Sequence, residues 1–162
     1  MSTGVGTEVR PIGFAPEQVD QSASTRDVPS KWVIVVDETL PAGRAVNAAA
    51  CVASAIADRT AGLLGDDAVD ADGVVHPGLP WIGCTVLGAA PARLTEIRAQ
   101  AATQPDLLVV DMPTQAQHTR VYDDYLLGVG RTRAVDLSYY AVALFGPRKT
   151  VDRAVKGLRL LP

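Results

Sequence analysis

The residues best placed to do chemistry follow apolar, strand-like runs. Asp37 and Glu38 close Trp32-Val33-Ile34-Val35-Val36. Asp111 closes Leu107-Leu108-Val109-Val110, with Thr114 just beyond, and Gly146-Pro147-Arg148-Lys149 follows the run Tyr139 to Phe145. A carboxylate at the edge of an apolar core sits where its pKa can be tuned for proton transfer. A strand-terminating Asp is equally an ordinary cap or turn former, so Asp37 and Asp111 each carry a structural reading as well. Gly146-Pro147 at a helix start leaves backbone N–H groups free, and Arg148 and Lys149 add positive charge, a combination that suits phosphate or carboxylate. Pointed at solvent, the same two side chains do nothing. In open α/β sheets ligands collect beyond the carboxyl ends of the strands, which places these acids opposite a basic helix start.

Other reactive side chains are sparse. His76, in Val-Val-His-Pro-Gly, and His118 are the two histidines; each could act as a base near neutral pH or simply form surface hydrogen bonds. Cys51 lies in an alanine-rich stretch and Cys84 in a strand-like one, where packing explains both. Neither has a cysteine or histidine neighbour at metal-ligand spacing, so no metal site is expected. Asp66, Asp67, Asp70 and Asp72 do not follow the twelve-residue calcium loop and read as a solvated turn. There is no G-x-S-x-G elbow, and no G-x-G-x-x-G turn after the first strand, so no cofactor is expected.

The elements that must position these groups follow from composition and periodicity. With 162 residues, 48% apolar and 20% charged, the chain suits one domain with one core. Residues 1–30, broken by Pro11, Pro16 and Pro29, read as a loosely ordered extension, and 31–162 as a single α/β domain. Lys31 to Asp37 is a strand buried on both faces, and Trp81 to Leu87 and Leu107 to Asp111 are further strands. Val74 to His76 is a short edge strand and Tyr139 to Phe145 the last one. Helices are predicted over 45–64, 91–103, 113–129 and 148–158. The alternation predicts helices on both sides of a small sheet, parallel for the most part.

The net charge of −3 argues against a dedicated nucleic-acid or membrane-surface binder. Residues 131–162 nevertheless carry seven basic side chains against Asp136 and Asp152. Arg153, Lys156 and Arg159 could share a face, although such a row is commonly solvated. No apolar run approaches the roughly 20 residues of a membrane span, and the N-terminus shows no signal-peptide pattern, which predicts a cytoplasmic protein.

Four segments in order, Lys31 to Gly43, Asn47 to Ala50, Asp72 to Gly78 and Leu144 to Lys149, resemble a bacterial domain-of-unknown-function family. The structural kin of that family are the type 2 peptidyl-tRNA hydrolases. The resemblance covers about residues 31–161. It implies a three-layer α/β/α sandwich with a mixed four- or five-stranded sheet, an antiparallel last strand and a homodimer.

The hydrolase motif is only half present. Gly43 matches its glycine, Arg44 falls where the first lysine stands, and Val46 replaces the second. Ala48 and Ala49 match, Ala50 replaces the glutamine, Asp111 matches the aspartate with Thr114 one residue early, and Gly146-Pro147 matches. A guanidinium can hold phosphate but cannot give up its proton, so Arg44 does not replace a lysine base.

Two readings follow. In the first, a diverged hydrolase acts on an ester or amide of an anionic, phosphate-bearing or tRNA-linked substrate. Asp111 and Thr114 orient water, and Arg44 with Gly146, Pro147, Arg148 and Lys149 holds the anion. In the second, the same scaffold is a non-catalytic small-ligand or partner-binding module in which Asn47 and Asp37 hydrogen-bond a ligand and no proton moves; fold alone does not decide. Gly43 and His76 are further ligand-binding candidates.

Overall fold

The structure, a computed structural model, describes residues 12–162. Its strands are β1 (Ser30–Asp37), β2 (Ala68–Val69), β3 (Val75–His76), β4 (Cys84–Ala89), β5 (Leu108–Pro113), β6 (Tyr139–Pro147) and β7 (Arg159–Leu160). Its α-helices are α1 (Ala42–Arg59), α2 (Pro91–Ala101), α3 (Tyr122–Gly130) and α4 (Arg148–Ala154), with a 3-10 turn at Thr114–Gln117. Five strands form one sheet in the order β5-β6-β1-β4-β7, and β2 and β3 form a separate hairpin.

β1 is central because both of its sides are apolar. Trp32, Ile34 and Val36 face one core, which α1 closes with Ala45, Ala48, Val52 and Ile56. Val33 and Val35 face the other, closed by Leu94, Ile97 and Ala101 of α2 and Val151 of α4. The small side chains at 45 and 48 let α1 lie close against the sheet.

The sheet is mixed, which corrects the mostly parallel expectation drawn from pattern. β4 runs parallel to β1, whereas β6 is antiparallel to both β1 and β5. The cause lies in the connections. α1 runs the length of the sheet and returns the chain for a parallel strand. The nine residues of α3 span only about 14 Å and pack on the 3-10 turn, so the chain re-enters at the end where β5 left it. Pro113 consequently pairs with Tyr139.

Helix ends differ from the periodicity-based bounds for local reasons. α1 stops at Arg59 because Thr60 is extended, and the next residue, Ala61, pairs with the segment at Gly13. α4 stops at Ala154, and Gly157, at φ +85°, turns the chain back so that Arg159–Leu160 pairs with β4 instead of continuing the helix. In place of one helix over 113–129 there is the 3-10 turn, a polar loop and α3.

The expected loose extension falls partly outside the described residues. Between residues 12 and 29 most side chains are exposed, but the segment is anchored at two points. Phe14, 6% exposed, sits against Trp81 and Phe145, and its N–H donates to the Ala61 carbonyl at 2.8 Å. Val28 is buried in the same core.

Candidate functional site

A cleft of about 470 Å³ lies between α1, the edge strand β5 and the start of α3. Its floor is apolar, made by Val52, Ala55, Val110, Met112 and Ala116, and its rim is polar. Asn47, Cys51 and Ala55 recur every four residues along α1, on the stripe beside the buried Ala48, Val52 and Ile56. One side of that helix therefore packs the sheet while the adjoining side lines the cleft. Thr119, Arg120, Tyr122 and Tyr125 close the opposite wall, with the two tyrosine rings 5.4 Å apart.

The 3-10 turn ties α1 to this wall. Gln117 Nε2 donates to the Arg44 carbonyl at 3.1 Å and to Asn47 Oδ1 at 3.0 Å. At the cleft's edge Asp111 accepts from Arg98 Nε at 2.8 Å, and the Arg98 guanidinium also lies over the Tyr139 ring, 5.6 Å from its centroid. The hydrogen bond to Asp111 raises the Arg98 pKa above its already high value. Burial, and then the neighbouring Tyr122 and Asp111, push the Tyr125 hydroxyl up, so it remains a protonated donor.

The structure brings some of the sequence-predicted residues together and separates others. Asp37, Gly43, Arg44, Asn47, Asp111 and Thr114 share the end of the sheet where β1 and β5 finish. Asp37 is buried and closes a turn, its Oδ1 accepting from the Thr39 N–H at 2.9 Å and the Thr39 hydroxyl at 2.6 Å. Thr114 Oγ1 lies 3.3 Å from Ser138 Oγ.

Gly146, Pro147, Arg148 and Lys149 stand at the opposite end, because β6 is antiparallel. Pro147 pairs with Ser30, the first residue of β1, and a nine-residue strand, about 30 Å long, separates the basic helix start from the acids. The expected juxtaposition of acids and basic helix is thereby corrected. Arg148 is also occupied: its Nε and one terminal nitrogen donate to the Val28 carbonyl at 3.1 and 2.9 Å, and to the Thr25 carbonyl at 2.9 Å. His76 sits on the exposed β2–β3 hairpin, 3.4 Å from Asp70 Oδ2. No group of three metal-ligating side chains occurs among the described residues.

Sequence reasoning missed Cys51, Ala55, Thr119, Arg120 and the two tyrosines as lining residues. The available signal was the pairing of an Asn47/Cys51/Ala55 stripe with an aromatic pair three residues apart after a polar loop. Without the sheet order, nothing says that α1 and α3 meet over β5.

Fold and cleft together define a mixed α/β domain with helices on both sheet faces and a half-apolar cleft at one sheet edge. The chain belongs to the DUF2000 family, proteins of unknown function, whose sequence pattern matches residues 30–162. A solved structure of a protein of unknown function from Agrobacterium tumefaciens strain C58 is similar. Its TM-score is 0.75 at 20% identity, covering 82% of this chain and 97% of that one, a likeness that speaks for the fold. No curated protein matches the chain. No helix among the described residues is long and apolar enough to cross a membrane.

Proposed function

We propose that this protein is a non-catalytic small-ligand-binding module whose site is the cleft between α1, β5 and α3. The observation that carries the reading is the composition of that cleft: an apolar floor beneath a rim whose polar groups are the Asn47 amide, the Arg120 guanidinium, the phenols of Tyr122 and Tyr125, the Thr119 hydroxyl, the Cys51 thiol and the Asp111 carboxylate. Pockets that hold small molecules share this plan, the floor supplying burial and the few polar groups orientation. A proton-transfer set is not assembled beside it, since Asp111 is committed to Arg98 and the basic helix start is at the far end of the sheet.

A small-molecule screen by thermal shift tests this, with Ala55→Trp filling the cleft. Hits are expected with the native chain and not with the folded variant. Turnover of an ester or amide by the native chain would overturn the non-catalytic part.

The second reading keeps the type 2 peptidyl-tRNA hydrolase-like sandwich and its chemistry, with Asp111, Thr114 and Arg44 acting on an anionic substrate. One observation favours it: Asp111 lines the cleft and shares a sheet end with Arg44 and Thr114. Release of peptide and free tRNA from peptidyl-tRNA, lost in Asp111→Ala, is the outcome this reading requires.

A further inference from the structure

The rim of the cleft is strongly biased toward hydrogen-bond donors, and that bias specifies the ligand. Asn47 Oδ1 accepts from Gln117 Nε2, which orients the amide and leaves both N–H donors of its NH2 available to a ligand. Arg120 lines the same wall, is exposed, and has no carboxylate within 4.0 Å among the described residues, so its five N–H donors are open to a ligand. The Asp111 carboxylate, which would oppose an anion, is compensated by Arg98. Tyr125 stays protonated and adds a phenolic donor. Two rings and an aliphatic floor accept a flat apolar body beneath these donors.

We infer that the cleft takes an aromatic anion, with its carboxylate or phosphate held by Arg120 and the Asn47 NH2, and its ring laid between the Tyr122/Tyr125 wall and the Val52–Val110 floor. This rests on the reading of the cleft as a ligand site. Gln117 is a positioning residue here: it fixes which end of the Asn47 amide the ligand meets. The anion is recognised where α1 and α3 face each other, and not at Arg148, where peptide carbonyls occupy the guanidinium. Charge-assisted hydrogen bonds of this type favour an anion over its neutral isostere by about tenfold at a partly exposed site.

The test is a two-dimensional 15N NMR titration of the full chain with four probes sharing a phenyl ring: 3-phenylpropionate, phenyl phosphate, 3-phenylpropanamide and 3-phenylpropylamine. The expected result is shifts at cleft residues, with at least one anion binding about tenfold tighter than the amide and the amine weakest. Arg120→Gln is expected to bring the anions down to the amide's affinity, whereas Arg153→Gln, on α4, leaves the ranking intact. Which anion binds tighter separates a carboxylate from a phosphate ligand.

If amide or amine binds as tightly as the anions, or if Arg153→Gln erases the preference as fully as Arg120→Gln, the anion assignment falls and the cleft remains a ligand site. Absence of cleft shifts with all four probes overturns the ligand-site reading itself.

Discussion

The guanidinium of Arg148 is closed off by peptide oxygens of Thr25 and Val28, which makes it a fastener for the segment entering β1. Arg148→Met keeps most of the stem's volume and strands the Val28 carbonyl. A loss of about 1–3 kcal/mol in unfolding free energy by urea titration is expected, with no change in ligand affinity at the other end of the sheet. Gln117→Leu should do the reverse. The Asn47 amide becomes free to rotate, so phenylpropionate affinity falls by about threefold, less than in Arg120→Gln, while the urea midpoint moves little. Asp37 shows how far residue types were readable in the sequence. A strand-ending Asp carried both a chemical and a structural reading, and what selects the turn is Thr39 two residues on, whose N–H and hydroxyl both reach Oδ1. Only the distances decide.

At the scale of elements, close approach constrains more than propensity does. Gly146, in β6, faces the Asp106 carbonyl and Leu107: a Cβ there would stand 2.6 Å from the backbone oxygen and 2.7 Å from Leu107 Cδ2. Gly146→Ala is therefore expected to cost about 1–3 kcal/mol in chemical denaturation, since a backbone carbonyl cannot swing aside as a side-chain tip can. Ala48→Leu should cost a similar amount under α1, and Ala50→Leu, on the exposed side of the same helix, close to nothing. Strand and helix identities were legible because β1 is apolar on both sides and α1 carries its alanines at helical spacing. Strand direction was not, because it depends on whether the intervening helix traverses the sheet. α3 does not traverse it, and it buries none of its own residues, leaving Tyr122 73% and Leu127 54% exposed. Its helical stripe looked the same in sequence as that of a core helix.

For the molecule as a whole, a titratable thiol stands outside both cores: Cys84, at the start of β4, is exposed on one side and desolvated by its neighbours on the other. That partial desolvation pushes the Cys84 thiol up to about 12 from its ordinary 9.0, and solvent on the exposed side weakens the effect on stability. The folded state then holds that proton more tightly than the unfolded chain. The associated stability is complete below about pH 9 and is lost as pH rises from 9 toward 12. Unfolding measured between pH 8 and 10.5 should show a decline that is shallower in Cys84→Ala. The sheet order has a consequence for synthesis too. β6 is the strand that joins β5 to β1, yet it is among the last segments made, and some hundred residues separate it from the strand it completes. A chain leaving the ribosome therefore leaves β1 open on one side and β5 without a partner strand until residues 139–147 emerge, and closing so long a loop is expected to slow folding relative to the size of the protein.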